Sequence, residues 1–163
     1  MKPVMQRRYA DPDDETGDCL AACVASIMEL TLDEVPDFCS LPVKARKSWV
    51  QQMDEWFEAR GWGIVYTDKV DPYPSIHNCT TIINLRNPEP FQHMVHSVVG
   101  EVGKKTYKRL KGSDAVMIQE SFKIIHDPHP NSLLTAQHTI VGFYFLIPPM
   151  PNQPQQESTY PIK

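Results

Sequence analysis

The chain has 163 residues, close to the length of one domain of about 150, and its 41% apolar, 22% charged and 9% aromatic side chains exclude wholesale disorder. Sixteen basic against twenty acidic side chains give a formal charge of −4, which supports neither general nucleic-acid binding nor attachment to a membrane surface. Fifteen prolines but only seven glycines disfavour a long-helix bundle, and no glycine-rich phosphate loop of the G-x-G-x-x-G or G-x-x-x-x-G-K-[ST] type occurs.

In chain order, residues 1–17 are polar and rich in turn formers, an irregular approach with an acidic run of Asp11, Asp13, Asp14 and Glu15 that extends to Asp18 just beyond it. Met1 to Tyr9 lack the apolar region of a signal peptide, and no apolar stretch reaches the roughly 18 residues of a membrane span. A cytoplasmic protein with four reduced cysteines is the expectation. From Cys19 to Leu30 apolar residues cover nearly every face, with small side chains recurring, which predicts a helix buried at the centre of the fold. Asp18 stands where an N-cap is needed. Thr31 with Glu34 three residues on has the form of a capping box for a second short helix, and Pro36 and Pro42 then break the chain.

Residues 45–60 read as an amphipathic helix with Trp49, Met53, Trp56 and Phe57 on one stripe and Gly61 just past its end. Core packing explains that stripe without a cofactor. Ile64–Thr67, Thr80–Leu85, Val95–Val99, Val116–Gln119, Phe122–Ile125 and Ile140–Ile147 are β-rich runs. Gly103 to Gly112, carrying Lys104, Lys105, Lys108, Arg109 and Lys111, reads as a long hairpin loop. The expected architecture is α+β, helices first and a mostly antiparallel sheet after them, in one domain over 1–147 with a proline-rich tail over 148–163.

Three places carry chemistry. Cys19 opens the buried helix, where the helix dipole and unpaired N–H groups favour a thiolate and can hold an oxyanion. His96 opens a strand. Asp127 closes another, in the turn His126-Asp127-Pro128-His129-Pro130. If the strands bearing His96 and Asp127 are hairpin neighbours, Asp127 can orient His96, and His96 can deprotonate Cys19. The carboxylates upstream of Cys19 act in the opposite sense, because nearby negative charge raises a thiol's pKa.

Gly-Asp-Cys-Leu-Ala-Ala-Cys at a helix start, then His-Ser-Val-Val on a strand, then His-Asp-Pro, in that order, resembles the papain-like cysteine peptidases. The likeness extends to the double-glycine leader peptidases of bacteriocin exporters and to small papain-like proteins of phages and bacteria. It rests on residues 17–38, 96–100 and 124–134, about a quarter of the chain. The resemblance implies a papain-like fold, with Cys19 as nucleophile, His96 as base, Asp127 as orienting group and no cofactor. It also implies a peptide or protein substrate, and for a phage protein a host-directed, counter-defence role in the host cytoplasm. The family's oxyanion glutamine lies a few residues before the cysteine, but the residue six before Cys19 is Asp13, and the only upstream glutamine is Gln6. Gln6 and Asp18 are the residues left for that role.

Other readings stay open. Cys23, Cys39 and Cys79 fit packed or isolated thiols, and Cys19-x3-Cys23 is the one pair with zinc-site spacing, so no metal site is expected. His93 competes with His96 as base. His93, His126, His129, Lys104 and Lys105 are candidate cleft or substrate contacts, and with His96 they would suit a phosphodiesterase acting on a small anionic nucleotide. His126 and His129 otherwise shape the turn, and His138 begins the last strand. A third possibility is a binding protein that kept the fold and lost the chemistry.

Overall fold

The computed structural model describes residues 1–9, 17–40, 48–68, 80–88, 94–103, 106–109, 116–119, 122–131 and 138–149, with the backbone alone for 106–109 and 116–119. Over these residues short helices pack on a five-stranded antiparallel sheet, an α+β arrangement.

The first helix, α1 (Cys19–Met28), is buried from Leu20 to Ser26. Ala22, Cys23, Val24 and Ala25 expose no surface, because small side chains let neighbouring elements close on the helix from all sides. One neighbour is the sheet. The other is residues 1–9, which run along α1 as a strap. Lys2 N–H donates to the Ser26 carbonyl at 3.3 Å, and Val4 N–H to the Ser26 hydroxyl at 2.9 Å. Ser26 is a polar residue in an apolar helix, and its hydroxyl also donates to the Ala22 carbonyl at 2.8 Å. Of the expected irregular approach, residues 1–9 are irregular in secondary structure yet fixed by hydrogen bonds, and 10–16 lie outside the described residues.

After α1 the chain makes two 3-10 turns, Leu32–Glu34 and Phe38–Ser40. The first stands where a second short helix is expected, and the Glu34 carboxylate accepts the Thr31 N–H and hydroxyl, both at 2.7 Å. Helix α2 (Trp49–Glu58) begins at Ser48, whose hydroxyl accepts the Gln51 N–H at 3.3 Å while the Gln51 side chain accepts the Ser48 N–H at 2.8 Å. Residues 45–47, expected in this helix, lie outside the described residues. Met53 and Phe57 are buried, with Trp49 and Trp56 packed beside them, and Gly61 adopts φ 72° just past the end, as its position predicts.

The sheet strands are β1 (Gly63–Thr67), β2 (Thr80–Arg86), β3 (Val95–Val102), β6 (Phe122–His126) and β7 (Thr139–Ile147), in the order β1-β7-β2-β3-β6 with every neighbour antiparallel. Alternation along the central strands makes two cores. Ile82, Val99, Tyr144 and Leu146 face α1, Phe38, Met53 and Phe57. Ile83, Leu85, Val98, Val102, Phe143 and Phe145 form the other.

The basic segment requires a correction. Gly103 to Gly112 is not one long loop: Thr106–Arg109 is a strand, β4, paired with β5 (Val116–Gln119) in a separate two-stranded sheet. Its cations disguise β-forming Thr106 and Tyr107 as loop. β7 ends at Ile147, followed by exposed Pro148 and Pro149; the rest of the expected tail, 150–163, lies outside the described residues. No helix among the described residues is long and apolar enough to cross a membrane.

Candidate active site

Asp18 occupies the N-cap position of α1, but its carboxylate does not cap the helix. It accepts the Arg7 N–H at 3.0 and 3.3 Å and the Arg8 N–H at 3.0 Å, and the Asp18 N–H donates to the Arg8 carbonyl at 3.3 Å. The carboxylate and the N–H of Asp18 therefore clamp the strap, which corrects the expectation of a side-chain cap. Arg7 and Arg8 are fixed further by ion pairs to Asp33 and Asp37. The first helical N–H bond runs from Ala22 to the Asp18 carbonyl at 3.0 Å, so the N–H groups of Cys19, Leu20 and Ala21 form the positive end of α1 beside the Cys19 sulfur.

The Cys19 sulfur accepts the Ser97 N–H at 3.4 Å and lies near enough to the His96 ring for each group to shift the other's protonation. His96 is the second residue of β3. Its Nε2 meets the Asp127 Oδ1 at 2.8 Å, which leaves Nδ1 for the sulfur. Asp127 directly follows β6, and β6 is the neighbour of β3, with His126 opposite Val99. β3 and β6 are neighbours, though not as the two arms of a simple hairpin, because β4 and β5 intervene in sequence. Imidazole and carboxylate are thus hydrogen-bonded, and the thiol stands beside the imidazole.

Burial pushes the Cys19 thiol up, but the hydrogen bond and charge of His96 and the Ser97 N–H outweigh it and hold the thiol below its usual value. Burial likewise pushes His96 down, and its bonds to Asp127 and Cys19 reverse that, raising it to about 9. Both shifts favour a thiolate–imidazolium pair. The acidic run at 11–15, expected to oppose it, lies outside the described residues, and the Asp18 carboxylate is held by backbone N–H groups.

The turn after β6 ties the third element in. Asp127 Oδ1 also accepts the His129 N–H at 2.9 Å, and buried Pro128 offers its carbonyl to the Gln6 N–H at 3.1 Å. Gln6 is 6% exposed and lines the same cavity as Cys19 and His96, thirteen residues upstream of the cysteine in sequence. Its Nε2 donates to the Arg8 carbonyl at 3.3 Å, and its Oε1 is buried without a hydrogen-bond partner among the described residues.

That cavity measures about 670 Å³. His129 lines it, with its ring centroid 4.8 Å from Tyr9 and 6.3 Å from His96, and His138 lines it as well. His126 faces away, donating from Nε2 to the Val4 carbonyl at 2.9 Å, so it is an anchor for the strap and not a cleft residue. His93, Lys104 and Lys105 lie outside the described residues, as does Cys79. Cys23 is buried, with its sulfur donating to the Ser97 carbonyl at 3.3 Å and its thiol pushed well up by burial. Cys39 lines the cavity, pushed up to about 11 by burial. Among the described residues no three His, Cys, Asp or Glu side chains converge as a metal site would require.

Two supporting residues escape a sequence reading. Ser97 receives Cys19 and Cys23 on its N–H and carbonyl, and its hydroxyl donates to Asn84 at 2.8 Å. The spacing of Cys19 and Cys23, one helical turn apart, is the signal that both meet one partner. Asn84 inside the apolar run of β2 is the other, since a buried amide needs a bond. Compared with protein-family models, curated proteins and solved structures, the chain finds no match in any of the three.

Proposed function

We propose that the protein is a cysteine hydrolase of the papain-like type, acting on a peptide, isopeptide or other acyl bond. The observation that carries this reading is the His96–Asp127 hydrogen bond beside the Cys19 sulfur, with Cys19 and His96 lining one cavity. The thiolate sulfur attacks the carbonyl carbon and forms a C–S bond, while the carbonyl oxygen takes the electron pair. Gln6 and the N–H groups at the start of α1 support that oxyanion. His96 gives its proton to the leaving group, and the collapse leaves a thioester on Cys19. Water then attacks, His96 takes its proton, and the thiolate departs with the acid released. An amine in place of water makes the same machinery an acyl transferase.

The test is a p-nitrophenyl ester panel with mass spectrometry of the quenched protein. The expected result is a burst of p-nitrophenolate and an acyl mass on Cys19, both abolished in a folded Cys19→Ala variant. Undiminished turnover by Cys19→Ala would overturn the thiol mechanism.

A further inference from the structure

The cavity differs in chemistry from the rest of the chain. None of its described lining residues is Asp, Glu, Lys or Arg, although 22% of the protein is charged. One wall is Trp49 and Val50 from α2, Tyr66 from β1, and Val141 and Tyr144 from β7. The Tyr66 ring lies 5.1 Å from that of Tyr144, and its hydroxyl donates to the Val141 carbonyl at 3.4 Å. A Cβ at Gly142 would stand 2.6 to 2.9 Å from the Tyr66 ring, so glycine there is what admits the ring. Tyr66 is 56% exposed and Val50 38% exposed, an apolar surface in the same cavity as the thiol.

We infer that this wall recognises the substrate: next to the scissile bond it carries an uncharged aromatic or branched aliphatic group, such as a phenylalanine, tyrosine or leucine side chain. This rests on the reading of Cys19 as the nucleophile. An apolar group gains by leaving water for this wall. A carboxylate or ammonium entering it sheds hydration and meets no charged side chain among the described residues of this wall. Tyr66 and Val50 are therefore specificity-determining residues.

The test uses chloroacetamides that share one reactive group and differ in the tail: phenylethyl, isobutyl, carboxyethyl or aminoethyl. Cys19 displaces chloride and keeps the tail, and each rate is divided by that of free glutathione. The expected result is alkylation of Cys19 by the phenylethyl and isobutyl probes at least about tenfold faster than by the carboxyethyl probe. Tyr66→Ala should lower the phenylethyl advantage and Tyr66→Phe retain it. Val50→Lys should accelerate the carboxyethyl probe. Equal corrected rates for all four tails, with Cys19 labelled, would overturn the inference and leave the nucleophile reading standing. Failure of every probe to label Cys19 would overturn both.

Discussion

The Pro128 carbonyl accepts the Gln6 amide N–H at 3.1 Å. This bond joins the strap to the corner that carries Asp127, while Asp18, directly before Cys19, grips the next two residues of the same strap. Gln6 is thereby held between the neighbours of Cys19 and of Asp127. Proline is well suited to position 128, because its ring stiffens the corner, it has no N–H to satisfy, and its carbonyl is left to accept.

Gln6→Ala should lower kcat by about a hundredfold, the usual loss for one oxyanion donor, with iodoacetamide labelling of Cys19 unchanged. A parallel fall in labelling would instead make Gln6 a structural support of the thiol. Asp18→Ala should approach the same kcat by loosening the strap. The double variant should then be little worse than Gln6→Ala alone, because both changes remove one interaction.

The rate of Cys19 alkylation should rise through a value below 9.0 and then level off, because the folded thiol is held below its ordinary value. Acyl transfer needs protonated His96 and should decline as pH passes about 9. In His96→Ala the thiol keeps its burial and loses its main stabilising partner, so labelling at neutral pH should fall at least about tenfold, one pKa unit's worth of thiolate. Stopped-flow alkylation across pH measures both.

Asp127→Asn removes the charge beside Nε2 and should lower the His96 value by about one to three pH units, read by NMR titration of the ring. The sign for stability follows. His96 has a folded value of about 9 against an ordinary 6.5, so its contribution is complete below 6.5 and is lost as pH rises through about 9. The depressed Cys19 thiol acts in the opposite sense, adding stability as pH rises towards 9.0. Thermal scans in a Cys19→Ala background should therefore show the decline as pH rises above 6.5, and a flatter profile when Asp127→Asn is added. An unchanged His96 titration would count against Asp127 as its orienting group.

Gly100→Ala should lower stability by about 1–3 kcal/mol. Its Cβ would stand 2.3 Å from the Ile83 Cδ1 and 3.2 Å from the Lys123 carbonyl, and Ile83 is only 1% exposed. Gly142→Ala meets Tyr66, whose exposed ring can swing aside. Thermal denaturation should therefore separate the two variants, with Gly100→Ala the less stable.

Much of the local structure is legible without the fold. Helix α1, buried all round, announces itself by small apolar residues on every face, and α2 by a 3.6-residue stripe ended at Gly61. Those signals survive because they depend on neighbours within one turn. Cys19, His96 and Asp127 can be named for the same reason, each sitting at the end of an element where a side chain or backbone group is left to act. β4 misleads because two cations outweigh two β-formers in so short a run.

The sequence by itself determined which segments bury an apolar face and where chemistry-bearing residues stand relative to helix and strand ends, since both are set by local periodicity and caps. Only the tertiary structure decided that β6 lies beside β3, that Asp18 clamps the strap in place of capping α1, and that Gln6 and an apolar wall line one cavity with Cys19. Each depends on hydrogen bonds or packing between residues far apart in the chain, as with Val4 and His126. Such partners are chosen by the closing of the whole core, and no short window of sequence contains both of them.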